Sequence, residues 1–264
     1  MDNPYNAPTS AVTGTVAGGR FKHPAVLTHL VRLCLVGSAV MAATTFFVSS
    51  AQRAILREGE AASLAVDDAY AEMPLHLLLA PVLQLLVLVA CWVIIAMWIY
   101  RIASNTRFLA GANKMDYTPG WAVGWYFIPF ANLWKPYQAM KEIWALNIAR
   151  DGGSGAVVAM LLPLWWFLWL AWNFVSNAAG RMSWRATSYE QNDNALLASM
   201  TSDAIHVPLC IVLLLITNRL YTAQIRAHAA RLSAGINPEA ATQGFAAPAF
   251  LPVLPSSTAQ ESIP

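Results

Sequence analysis

At 264 residues, 57% of them apolar and only 11% charged, with a mean hydropathy of +0.47, the chain is too apolar for an ordinary soluble domain of its length. Its formal charge of +2 is small and dispersed, which argues against a nucleic-acid interface. Cys34, Cys91 and Cys210 fall in three different apolar runs without the paired spacing of a zinc, redox or haem-attachment motif, so they read as packing thiols.

Taken in chain order, residues 1–26 are rich in Ala, Pro, Ser, Thr and Gly with no sustained apolar period, and read as a flexible tail. The first apolar run, 33–50, is long enough to cross a hydrocarbon core of about 30 Å. The SSAQ that closes it resembles a signal-peptidase site, but the leader is long and the run exceeds a signal peptide's apolar region, so a retained helix is expected. Further runs follow at 74–100 and 156–178. A fourth, at 206–216, reaches spanning length only with ALLASMTSDAI in front of it. Residues 233–264 form a second Ala/Pro/Ser-rich tail. The expected fold is therefore all-α: a polytopic helical membrane domain over 27–232 with four transmembrane helices.

Between the second and third runs stands YTPGWAVGWYFIPFANLWKP, residues 117–136, uncharged until Lys135 but interrupted by glycines and prolines. It has three alternatives: to span, to re-enter and leave on one side, or to lie flat in the interface. Cytoplasmic flanks collect Lys and Arg. If the segment spans, the sixteen basic residues divide eight against eight; if it returns to its own side, they divide twelve against four, with both termini cytoplasmic. Pro119 and Gly120 also open a leg of about nine residues, roughly 13 Å of helix, before Pro129 breaks it. A re-entrant or interfacial segment follows from both arguments. Behind it KPYQAMKEIWALNIAR places Tyr137, Met140, Trp144 and Ile148 at helical spacing, an interfacial helix closed by DGGSG at 151–155.

The tract TPGWAVGWYFIPFANLWKPYQAMKEIW, preceded by YRIASNTRFLAGA, resembles the signature of domain-of-unknown-function family 4328, over roughly residues 82–231. Pro119, Trp121, Trp125, Pro129, Asn132 and Pro136 are among the matching positions. The resemblance implies a bacterial helical membrane protein, here one of the cytoplasmic (inner) membrane, and supplies no activity, cofactor or catalytic residue.

Three groups of candidate residues emerge. Trp121, Trp125, Pro129, Asn132 and Trp134, with Trp165, Trp169 and Trp172 on one face of the third span, form a candidate packing or ligand surface. His76, Asn173, Asn177, Asp203 and His206 converge, if the chain crosses four times, on an outer polar cluster, and Gln84 falls near mid-depth as glue between helices. Arg101, Arg107, Lys135, Lys141, Arg219 and Arg226 form a basic rim facing anionic lipid. No His-x-x-x-His pair, P-loop or catalytic triad is present, so neither metal nor cofactor nor catalysis is expected. The expected function is a non-enzymatic membrane module that binds a protein partner, a lipid or a small apolar ligand, with membrane lipid and a second copy of the chain as further partners. An oligomeric transporter or channel lined by the Trp/Pro-rich half-helix is the alternative.

Overall fold

The computed structural model describes residues 20–111, 114–148 and 156–234, with backbone alone at 156–159. Among these residues seven α-helices run in order: α1 (Ala25–Ala61), α2 (Val66–Ala71), α3 (Leu75–Ala110), α4 (Pro119–Gly124), α5 (Lys135–Ile148), α6 (Ala156–Arg185) and α7 (Tyr189–Ser233). Two single 3₁₀ turns, Trp125–Phe127 and Ala131–Leu133, separate α4 from α5. No strand occurs among the described residues. The tracts DGGSG and 235–264 lie outside them.

α1, α3 and α7 are each long and apolar enough to cross a membrane. The weakest run of the sequence thus belongs to one of the three. α6, the remaining long helix, carries Trp165, Trp166, Trp169 and Trp172 in an apolar stretch whose first four residues are described by backbone alone, so three of the four expected crossings are found among the described residues. α3 makes the case for lipid most directly. Only 6% of its most apolar window is buried inside the protein, and Leu79, Leu83, Leu86, Val93 and Met97 all face outward. Soluble monomers rarely leave so large an apolar surface to water.

The seam of α1 explains how the bundle closes. Its buried residues are Thr28, Val31, Leu35, Ser38, Ala42, Thr45, Ser49, Gln52, Leu56 and Gly59, which alternate steps of three and four. That 3.5-residue period keeps one stripe against a neighbour, and its small side chains let backbones approach closely, as lipid-embedded helices require. α7 packs antiparallel on this stripe through four polar rungs. Arg32 donates to Asn218 at 2.7 Å, Ser38 meets His206 at 2.9 Å, Thr45 donates to Asp203 at 2.9 Å, and Arg53 forms a bidentate pair with Asp193 at 2.6 and 2.9 Å. α3 packs on the other flank of α1 and α6 on the far side of α7, while α3 and α6 hardly touch each other. The gap between them is where α4 and the 3₁₀ turns lodge.

One end of the bundle gathers the start of α1 with the ends of α3, α5 and α7. Lys22 exchanges two backbone hydrogen bonds with the Asn105 amide, and the Phe21 ring stacks on His228 at 3.9 Å. Residues 20–26, assigned to a flexible tail by composition, are therefore held, because aromatic and backbone contacts to α3 and α7 fix them. At the opposite end α2 folds over α1, with Leu56, Ala69 and Met73 in a small second core. Gly59 permits that approach: a Cβ there would stand 2.9 Å from the Ala69 Cβ. α1 also runs unbroken through the SSAQ tract.

Candidate functional site

The segment between α3 and α5 is built to turn back. Thr118 caps α4, its hydroxyl accepting from the Trp121 N–H, and Pro119 takes the first helical position where no N–H is needed. α4 lasts six residues, the chain tightens into a 3₁₀ turn, and Pro129 stops it. Phe130 then adopts φ +65° and ψ −54°, with the Ala131 N–H donating to the Pro129 carbonyl at 2.8 Å. This is a γ-turn of the rarer, strained, positive-φ kind. The base of the loop is closed: Tyr117 donates to Gln138 at 2.7 Å, the backbone of Asp116 and Tyr117 donates to Glu142, and the Lys135 ammonium lies 5.6 Å from the Tyr117 and Trp125 rings. Since the two ends meet, the segment forms no helical crossing, and a fifth span is excluded.

Its tip reaches Tyr126, whose ring stands edge-on to Trp92 of α3 at 5.6 Å and to Trp169 of α6 at 5.9 Å. Tyr126 thereby bridges the two helices that otherwise hardly meet. Beneath it lies a cavity of about 80 Å³ at the centre of the bundle. α3 contributes Leu88, Cys91 and Trp92 to the wall, α6 contributes Trp165, Trp169 and Trp172, and α7 contributes His206 and Cys210. Leu35, Ser38, Val123 and Met140 close it from α1, α4 and α5. The lining includes no Lys, Arg, Asp or Glu. Three of the lining residues each carry a buried polar atom without a hydrogen-bond partner among the described residues: the Tyr126 hydroxyl, Trp165 Nε1 and His206 Nδ1.

A polar stripe adjoins this chamber. His206 Nε2 is engaged by Ser38, and the Trp172 ring lies 4.9 Å from the imidazole. One turn away, Asp203 accepts from Thr45 at 2.9 Å and from the Gln84 amide at 2.8 Å. Gln84 is glue between helices, as its depth suggested. The predicted outer cluster, by contrast, divides. Asp203 and His206 are buried in the stripe, whereas His76 is exposed near the start of α3, two turns from Gln84. Asn173 and Asn177 bond to carbonyls of their own helix, Trp169 and Asn173 respectively, and border an open groove with Asn132 and Arg181. Helical register explains the division: Asn173 and Asn177 follow Trp169 at steps of four, on the stripe of α6 that borders Asn132 and Leu133.

The tryptophan set divides likewise. Trp165 and Trp169 are buried and Trp172 half-buried, with Trp166 stacked on Trp169 at 4.7 Å. Trp121 and Trp134 are half-exposed, and Trp125 lies tilted by 30° against Trp121 at 4.6 Å. Pro129 is exposed and Asn132 half-buried, its Oδ1 without a partner among the described residues. The segment seals the bundle with Tyr126 and Val123 rather than with its tryptophans.

The three thiols, unrelated in sequence spacing, converge. Cys91 lies against Cys34, its Sγ 3.4 Å from that residue's carbonyl, and lines the same chamber as Cys210. No group of His, Cys, Asp and Glu among the described residues is arranged to hold a metal ion. Of the basic rim, Lys141, Arg219 and Arg226 are exposed and Arg101, Arg107 and Lys135 half-buried, all towards the end that holds the start of α1. Beside them the sequence reading missed a buried knot. Gln224 donates to the Ile102 carbonyl and to Thr106, Asn147 donates to Thr106, and Asn105 donates to Gln224.

Length, apolar surface and an internal aromatic chamber together define the class: a helical membrane protein whose bundle encloses a small apolar cavity. Within that class the chain belongs to the family described as Domain of unknown function (DUF4328), which matches residues 64–222 and so covers α2 to most of α7. Nothing among curated proteins or solved structures is significantly similar to it.

Proposed function

We propose that this protein is a non-enzymatic module of the bacterial cytoplasmic membrane that takes a small apolar ligand into the chamber under Tyr126. The observation that carries the reading is the chamber itself, an 80 Å³ space walled by indole, phenol and aliphatic groups where a well-packed interior leaves few voids larger than a water molecule. Apolar cavities of this kind stay dry and accept xenon or small hydrocarbons. Bound xenon should therefore give a separate ¹²⁹Xe resonance with the wild-type protein in nanodiscs, and Leu213→Trp, which fills the chamber, should remove it. A wild-type spectrum identical to that of Leu213→Trp would overturn the reading. A conducting oligomer is the weaker alternative, because Gln84, Asp203 and Thr45 are engaged with one another rather than set along an open path.

The accompanying topology has four crossings, α1, α3, α6 and α7, with both termini and the basic rim cytoplasmic and α4 re-entrant. Two features support it. The four long helices alternate in direction, and Trp92, which Tyr126 meets, lies nine residues or about 14 Å of helix from Arg101, roughly half a hydrocarbon core deep. A membrane-impermeant maleimide added to intact cells should label Ser188→Cys and leave Asp116→Cys and Lys141→Cys unmodified. Labelling at Lys141→Cys would end this topology. Trp121 and Trp134, exposed on the loop, would then lie among lipid headgroups or against a protein partner.

A further inference from the structure

The groove bordered by Asn132, Asn173, Asn177 and Arg181 continues past Gly180 and Trp184 to Arg185, at the C-terminal end of α6. Asn173, Asn177, Arg181 and Arg185 follow one another at steps of four, so they form one stripe with about 6 Å of helix between neighbours. Both arginines are exposed, and neither has a hydrogen-bond or ion-pair partner among the described residues. Asp193, next to the groove-lining Asn194, is already engaged by Arg53 and Arg57. Two like charges one turn apart repel each other, and an anion between them removes that cost. The guanidinium fork matches phosphate oxygens in particular.

The groups further down the stripe extend the match. Asn177 and Asn173 each donate one amide N–H to a carbonyl of their own helix and keep a second, which suits the ester carbonyls that lie just inward of the phosphate in a glycerophospholipid. Beyond them the groove is walled by Leu133, Leu170 and Phe174, apolar groups suited to an acyl chain; Phe174 is 65% exposed. Trp184, 92% exposed beside Arg185, belongs at headgroup level. No Asp or Glu lines the groove to receive an ammonium group, so a headgroup of net negative charge is favoured over a zwitterionic one. We propose that this stripe binds an anionic glycerophospholipid of the outer leaflet, its phosphate between Arg181 and Arg185, its esters at Asn177 and Asn173, and an acyl chain along Phe174, Leu170 and Leu133. The site rests on the four-crossing topology above, in which α6 carries Arg185 to the outer surface, and is independent of the chamber.

Site-specific photocrosslinking tests it. Phe174 is replaced by p-benzoylphenylalanine in the full chain, the protein is reconstituted into vesicles of equal parts phosphatidylglycerol and phosphatidylcholine with the same acyl chains, and the crosslinked lipid is identified by mass spectrometry. Phosphatidylglycerol should be captured in preference by at least about fivefold. Arg181→Gln with Arg185→Gln should abolish the preference, whereas Lys141→Gln with Arg219→Gln, in the rim at the other end of the bundle, should leave it unchanged. Equal capture of the two lipids, or a preference that survives loss of both arginines, would overturn the proposal while leaving α6 in lipid. Loss of the preference on adding free glycerol phosphate would also overturn it, marking a site for a soluble phosphate. Capture of neither lipid would remove the crossing of α6 along with the site.

Discussion

Tyr126→Ala should destabilise the ligand-free protein by about 3 kcal/mol, the lower end of the cost of removing a packed aromatic ring. The ring is the principal link between α3 and α6, through Trp92 and Trp169, and its loss would extend the chamber into the gap between those helices. Tyr126→Phe isolates the hydroxyl. That group is buried without a partner among the described residues, so removing it should leave stability within about 0.5 kcal/mol or raise it slightly. Unfolding in mixed micelles under increasing denaturing detergent measures both. A Phe variant as unstable as the Ala variant would mean that the hydroxyl, not the ring, holds the segment in place.

Gln224→Ala should cost about 3 kcal/mol at the other buried polar centre. Gln224 is fully buried and makes three contacts, to the Ile102 carbonyl at 2.9 Å, to Thr106 at 3.0 Å and from Asn105 at 3.3 Å. Each hydrogen bond contributes about 1 kcal/mol, and truncation also leaves the Asn105 amide short of an acceptor and opens a void. Through Thr106 the same knot holds Asn147, and so α5, against α3. Amide exchange along 135–148 should accordingly accelerate together with the fall in global stability. A loss of under about 0.5 kcal/mol, with exchange in α5 unchanged, would show that water at the helix ends replaces these contacts.

The two residues illustrate why some of the fold was legible in the sequence and some was not. The existence of the long helices follows from the apolar runs, although α1 (25–61) and α7 (189–233) extend far beyond the runs at 33–50 and 206–216, and the turn-back of 117–136 follows from Pro119, Pro129 and the distribution of basic residues, because each is a property of neighbouring residues or of the count on each side. Tyr126 is one of seven aromatics in the same tract, with nothing local to set it apart. Gln224, Asn105 and Asn147 carried no signal, since a polar residue near a helix end is ordinarily solvated.

By itself the sequence determined the all-helical class, the demand for lipid and the family, all of which depend on composition and on a contiguous motif. Only the tertiary structure decided which polar residues meet. It paired Asp203 with Thr45 and Gln84, set His206 on Ser38, turned Asn173 and Asn177 to carbonyls of their own helix, laid Cys91 against Cys34 and brought Cys91 and Cys210 to one chamber. The reason is rotational register: in a helix a shift of one residue turns a side chain by about 100°, so depth read from the sequence brings residues to one level without saying which face they share. That register is set by the 3.5-residue small-residue seam of α1 against α7, and the chamber is what remains where α3 and α6 cannot also close on each other.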